Sequence, residues 1–255
     1  MSGFRLLLRK ELLEQTRTMR LYVVAIVFAL FAIVSPLTAK YLPDIVKALA
    51  GDQVSLAGLI STPTVGDAVD QFLKNLTQFG VLIAILLAMG TVATEKDRGT
   101  AAFILTKPVS RGAFLAAKLV AISVTLLVST AGAGILGYYY TAVLFEPLPA
   151  AGYAAMCGLL WLSLVVFAAL TFLGSTLTSS AAAGAGIGVV FLVATGIVSA
   201  LPTVGRYMPE MLAGPARSLA LGQASADVVG PVAVNLAITL AAGGLAWLAF
   251  RRQEL

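Results

Sequence analysis

Few residues in this 255-residue chain could do chemistry. Histidine is absent, and the single cysteine, Cys157, sits inside an apolar run. That excludes a disulfide framework and the usual zinc, haem and iron–sulfur ligand sets. Cys157 reads as a small packing residue. An intramembrane hydrolase would need a nucleophile with a base or paired carboxylates. Ser123, Thr125, Ser129, Ser163 and Thr171 have no histidine to activate them and read as helix-packing hydroxyls. No Gly-x-x-x-x-Gly-Lys phosphate loop is present, so the chain is not expected to be an enzyme that hydrolyses ATP itself. Charge gathers instead in one long stretch, Thr94-Glu-Lys-Asp-Arg-Gly-Thr-Ala-Ala-Phe-Ile-Leu-Thr-Lys-Pro-Val-Ser-Arg111, with Lys118 just beyond it.

Local rules give that stretch a shape. Glu95, Lys96, Asp97 and Arg98 alternate in sign, and Gly99 permits a sharp turn. Thr100 can cap a short helix from Ala101 to Thr106, which would expose Phe103, Ile104 and Leu105. Pro108 would end that helix and force Lys107 extended. Ser110 can cap the next helix, which runs through Arg111 and Lys118 into an apolar run. The product is a short knob tied to two spans. The competing reading is an ordinary amphipathic loop against the membrane.

The elements that position it follow from composition. Hydrophobic residues make up 59% of the chain and charged residues 11%, with a mean hydropathy of +0.96. Such a chain needs the bilayer as its solvent. One all-α integral membrane domain covering 1–255 is expected, with spans near 21–39, 76–94, 119–140, 153–173, 181–201 and 228–250. None of these spans holds Asp, Glu, Lys or Arg, unlike the membrane domain of an ion-driven transporter. Residues 4–20 form a basic amphipathic helix candidate. Phe4, Leu7, Leu8 and Leu12 lie on one face, Arg5, Arg9, Lys10 and Arg17 largely elsewhere, and Glu11 inside the apolar stripe. It is expected to lie on the anionic leaflet, with contact to a cytoplasmic partner through Lys10 and Glu11 as the sharper alternative. Pro36 should bend or end the first span, and residues 40–74 read as one or two short helices outside the membrane. Asn75-Leu-Thr77 matches a glycosylation sequon by chance. Residues 202–227, with Pro202, Pro209 and Pro215, read as broken outer helices. Gly184 to Gly188 gives the fifth span a small-residue face for close helix contact.

Twelve of the 17 Lys and Arg fall in 1–20, 94–118 and 251–255, and five in 40–76, 141–152 and 202–228. The excess places both termini and the charged stretch in the cytoplasm, which requires an even number of crossings.

Glu95, Gly99, Thr100 and the Lys107-Pro-Val-Ser-Arg111 run, with Lys118 seven residues on, resemble the cytoplasmic loop of type-two ABC transporter permeases. Arg9-Lys10-Glu11-Leu12 resembles that family's helix before the first span. The resemblance implies the six-span permease subunit of an exporter in the cell membrane. It implies two copies of a separate cytoplasmic ATPase that carry ATP and Mg, and a second permease copy or paralogue. It makes Glu95, Gly99, Thr100, Phe103, Ile104, Leu105, Pro108, Ser110, Arg111 and Lys118 a coupling element braced by Arg9, Lys10 and Glu11. It also offers Gly184 and Gly188 as a contact between two permease copies. An ATP-independent channel or secondary transporter, and the permease of a metalloenzyme-maturation system, are the alternatives. Uncharged spans suggest an apolar or amphipathic cargo.

Overall fold

The computed structural model describes residues 2–50, 62–106, 109–223 and 227–253. It is all-helical over these residues, and six helical segments are long and apolar enough to cross a membrane. The chain begins with α1 (Ser2–Arg17), turns at Met19, whose φ is 61°, and enters α2 (Arg20–Ala50). α3 (Val65–Ala88) is the second crossing and ends in two short helices, α4 (Ala93–Asp97) and α5 (Thr100–Leu105). Then come α6 (Arg111–Leu144), α7 (Ala150–Leu177) and α8 (Ala181–Ser199). Two 3-10 turns, Gly205–Tyr207 and Pro209–Leu212, lead into α9 (Ala213–Ala220), and α10 (Val229–Arg251) is the last crossing.

Two expectations need correction. Residues 40–50 and 65–74 are not separate short helices but prolong α2 and α3, and 51–61 lie outside the described residues. α2 also continues through Pro36 and Pro43. A helix so apolar loses one backbone bond at each proline but keeps its packing against α3 and α6, so the break is local. The start of α3 is set by a capping box in which Asp67 N–H donates to Thr64 Oγ1 and Thr64 N–H donates to Asp67 Oδ2 at 2.7 Å. The sequon asparagine is structural: Asn75 Nδ2 donates to Ser35 Oγ at 2.9 Å and links the first two crossings.

α7 is the hub. It packs against α3, α6, α8, α9 and α10, and 83% of its apolar window is buried inside the chain, against 11% for α8 at the periphery. α2 closes the opposite flank against α3 and α6. Because the spans carry so little charge, hydroxyls and amides stitch the bundle. Ser163 Oγ donates to Pro209 O at 3.0 Å, Trp161 Nε1 to Ser123 O at 3.0 Å, and Asn235 Nδ2 to Tyr207 O at 2.9 Å. The first and third of these bonds hold the broken segment at 205–220 onto the end of the bundle away from the termini, where Arg217 also pairs with Asp70 at 2.6 Å, while the second ties α7 to α6.

Gly184 and Gly188 do not face outward. A Cβ on Gly184 would lie 2.5 Å from Met89 O, and one on Gly188 would lie 2.4 Å from Thr171 Oγ1. The small-residue face therefore seats α8 on the chain's own α7 and the end of α3. The outward face of α8 is Val189, Val190, Val193 and Ile197.

Candidate functional site

The end of the bundle that carries α1, α4, α5 and the last turn of α10 gathers most of the residues singled out from the sequence. At its centre is Lys118, two turns into α6 and 2% exposed, whose Nζ donates to Glu11 Oε1 at 3.0 Å and to Glu95 Oε1 at 2.7 Å. Three elements thus share one ammonium: α1 through Glu11, α4 through Glu95, and α6. Lys10 lies at the edge, 2.9 Å from Glu11, 3.1 Å from Glu14 and 3.4 Å from Glu95. The Lys118 ammonium also lies 5.1 Å from the centre of the Phe114 ring.

This explains why a charge interrupts the apolar stripe of α1. Leu7, Glu11 and Gln15 recur at helical spacing on the face that packs on α6, and Glu11 and Gln15 are both 5% exposed. α1 is therefore docked on the bundle, and Glu11 is committed internally rather than offered to a partner. Arg9 is exposed on the other side of the helix. The carboxylates of Glu11, Glu14 and Glu95 lie within 4.8 Å of one another, and Lys10 and Lys118 stand among them on Glu11 Oε1, Glu14 Oε2 and Glu95 Oε1, while Glu95 Oε2 is buried without a hydrogen-bond partner.

Charge balance sets how the outer pair titrates. Burial alone would raise the Glu14 carboxyl, but the bond from Lys10 and the charge of that ammonium outweigh it and hold it below 4.5. Burial likewise pulls Lys10 down, but its bond to Glu11 and the charges of Glu11 and Glu95 prevail and keep it above 10.5.

The loop itself departs from expectation at Thr100. The cap of α5 is Gly99, at φ +68°, where a Cβ would be strained whatever the space around it. Thr100 is the first helical residue, and its Oγ1 donates back to Glu95 O at 3.1 Å. Phe103 is 68% exposed, while Ile104 is partly buried against the core. Pro108 and the side chain of Leu105 lie outside the described residues. Ser110 caps α6 as read from the sequence, its Oγ accepting from Ala113 N–H at 3.1 Å.

Arg111 has an internal use that the sequence reading missed. Its Nη1 donates to Phe250 O, Arg251 O and Gln253 O, each at 3.0 Å, and so caps the end of α10. A cation on unpaired terminal carbonyls also meets the negative end of the helix dipole. Lys96 does the same for α7, donating to Thr176 O at 2.7 Å and to Gln253 Oε1 at 3.2 Å. Ser175 Oγ accepts from Val92 N–H and Ala93 N–H, which satisfies the free start of α4. Lys96, Ser175 and Gln253 carried no motif. A cation near one helix end and two further helix ends close by in space were the only available signals.

The described residues thus combine six helices long and apolar enough to cross a membrane with an N-terminal helix docked on them and two short helices after the second. Residues 5–225 match the family described as ABC-2 family transporter protein. The chain belongs to that family. The match runs from α1 through α9 and contains the whole buried-charge site. An uncharacterized transmembrane protein of Bacillus subtilis (strain 168), YxlG, is 31% identical over 228 residues, covering 88% of this ABC-2 family chain and 87% of its own length.

Proposed function

We propose that this ABC-2 family protein is the permease subunit of an ATP-driven exporter, moving an apolar or amphipathic substrate by alternating access. Two copies of a separate ATPase supply the energy, with ATP and Mg bound there, and a second permease copy or paralogue completes the pathway. The observation that carries the reading is the Lys118 ammonium held between Glu11 and Glu95. A loop used to transmit force must not yield under it. One buried cation joining α1, α4 and α6 gives the exposed Phe103 tip a stiff footing on the second and third crossings.

The charge distribution supports a cell-membrane location with this end in the cytoplasm, since the described Lys and Arg of residues 1–20, 94–118 and 251–252 lie here. Of the proposed coupling residues, Gly99, Thr100 and Phe103 are exposed for ATPase contact. Glu95, Ser110, Arg111 and Lys118 act by positioning.

Co-purification of the ATPase with tagged permease tests this. Phe103→Asp is expected to reduce ATPase recovery about tenfold, a loss of about 1.4 kcal/mol, while transport falls in parallel. Unchanged recovery and transport in Phe103→Asp and Gly99→Val would sink the coupling assignment. Transport by liposomes holding this chain alone would replace it with an ATP-independent channel or secondary transporter.

A further inference from the structure

Helix α1 is docked by one face and leaves the other open. Leu7, Glu11 and Gln15 pack on α6, while Arg5, Arg9 and Leu13 recur two residues before them, about 200° round the helix. On that outward face Leu6 is 67% and Leu13 45% exposed, with Arg5, Arg9 and Arg17 exposed beside them. A shallow groove of about 380 Å³ follows it from Arg5 to Thr16. It holds no acidic residue, since Glu14 lies on the flank, 3.1 Å from Lys10. The ion pairs at this end all involve Lys10 or Lys118, and Arg5, Arg9 and Arg17 enter none among the described residues. A helix that buries Glu11 and Gln15 and leaves Leu6 and Leu13 outside departs from the order expected in water.

Place in the fold decides what meets that face. α1 ends at Arg17, α2 begins at Arg20 and the apolar run of the first crossing starts at Leu21, so the end of α1 stands within a few residues of the hydrocarbon. Contacts with α6 advance along both helices together: a Cβ on Gly3 would lie 4.0 Å from Val109 Cγ1, and Glu11 Oε1 lies 3.0 Å from Lys118 Nζ. α1 therefore runs beside the opening turns of α6 and not beneath them. α6 has 34 residues, about 51 Å of rise against a hydrocarbon core of about 30 Å, so its ends stand in the headgroup layers. The outward face of α1 looks sideways into that layer rather than toward a partner seated on the Phe103 tip. Guanidinium groups take phosphate oxygens in pairs, and leucines between them suit a surface that is charged above and apolar below. A leaflet of anionic lipid has both properties.

We propose that the outward face of α1 is a binding site for anionic phospholipid in the leaflet on the side of the termini, with Arg5 and Arg9 on headgroup phosphate and Leu6 and Leu13 against the acyl chains below. The inference stands on the chain spanning the bilayer and is independent of the transport reading.

Native mass spectrometry of the full-length protein in detergent, titrated with phosphatidylglycerol or phosphatidylcholine, tests it. Wild type is expected to bind phosphatidylglycerol more tightly. Arg5→Gln/Arg9→Gln should lower that affinity about 25-fold, about fivefold for each charge near an anionic surface, and leave phosphatidylcholine unchanged. Arg5→Lys/Arg9→Lys should keep most of the preference, and Leu6→Ser/Leu13→Ser should weaken both lipids alike. Arg251→Gln/Arg252→Gln removes the same charge from exposed positions at the same end and should match wild type. Because Arg5 and Arg9 point away from α6, amide exchange at 7–15 should be unchanged in the glutamine variant. No preference in wild type, equal affinity in the glutamine variant, or an equal loss in Arg251→Gln/Arg252→Gln overturns the proposal. Lipid loss with faster exchange at 7–15 overturns it in favour of a purely structural role. Displacement of the lipid by inorganic phosphate at constant ionic strength overturns it in favour of a soluble anion. Unchanged lipid affinity with loss of the co-purified ATPase in the glutamine variant overturns it in favour of an acidic protein surface.

Discussion

Lys118 is a full charge held where almost no water reaches, and its two carboxylate partners come from elements 107 and 23 residues away in sequence. Replacing it by Met leaves Glu11 and Glu95 with only the half-exposed Lys10 ammonium as counter-charge. Breaking a buried ion pair costs about 3–5 kcal/mol, so Lys118→Met should lower the thermal midpoint in detergent markedly. Glu11→Gln, which keeps one carboxylate on the ammonium, should cost only about 1–3 kcal/mol. A reversed order of the two variants would mean that Glu95 is not the principal partner. The outer pair gives a pH prediction. Glu14 titrates below its unfolded value of 4.5, so its contribution is fully present above 4.5 and is lost as pH falls through the lower folded value. Lys10 titrates above 10.5, so its contribution persists up to that pH and is lost only beyond it. Docking of α1, followed by hydrogen exchange of its amides, should hold steady from pH 5 to 10 and weaken in acid. In Glu14→Gln the acid loss should shrink. The sequence exposed one half of this site: a glutamate inside an apolar stripe is an anomaly that asks for a buried partner. The partner itself could not be read, because nothing in a linear chain says that α1 folds back onto α6.

At the scale of elements, the helix ends at the terminal side are fastened by side chains from other helices, so single changes there should loosen two elements at once. Arg111→Ala removes three donations to the carboxyl end of α10. The expected cost is about 2 kcal/mol, in the range of hydrogen bonds to charged groups. It should appear as faster amide exchange at 248–253 and at the start of α6, with the middle of both helices unchanged. Gly99→Ala meets no steric obstacle but imposes a left-handed residue with a side chain, at about 1 kcal/mol confined to α5. Gly184→Leu differs in kind, since the added atoms collide with Met89 O and Ser175 Cα, and α8 should detach from α7. Disulfide trapping of cysteine pairs across α7 and α8 would register the separation. Turn and cap chemistry was legible where it depends on one residue type, as at Gly99 and Ser110. It failed at Thr100, since glycine beside threonine offers two caps and only the backbone decides. It failed again at 40–50 and 65–74, where scattered charges resembled loop composition but sit on long helices that project past the hydrocarbon.

Taken whole, the described residues hold six helices long and apolar enough to cross a membrane, so both ends should share one side of it. With Cys157→Ser as a cysteine-free background, single cysteines at Gly3, Arg98 and Arg252 should react with a membrane-impermeant thiol reagent only after the cells are opened. Cysteines at Glu146 and Val204 should react on intact cells. Labelling of Arg252 and Arg98 from opposite sides would reduce the number of crossings. The count was legible because hydropathy is additive along a chain. The neighbour relations were not, because six apolar runs of similar composition give no hint of which lies in the middle. That the middle one is the fourth to be made has a consequence for how the protein is born. While the ribosome is still short of Ala150, α3 and α6 have been delivered with the surfaces meant for α7 uncovered, among them Gly80, which faces Leu164, and Gly134, which faces Cys157. A nascent chain arrested there would present an open seam to the insertion and quality-control machinery. Closure waits for one segment, and α8 and α10 can dock only after it, so the order of synthesis is also the order of assembly.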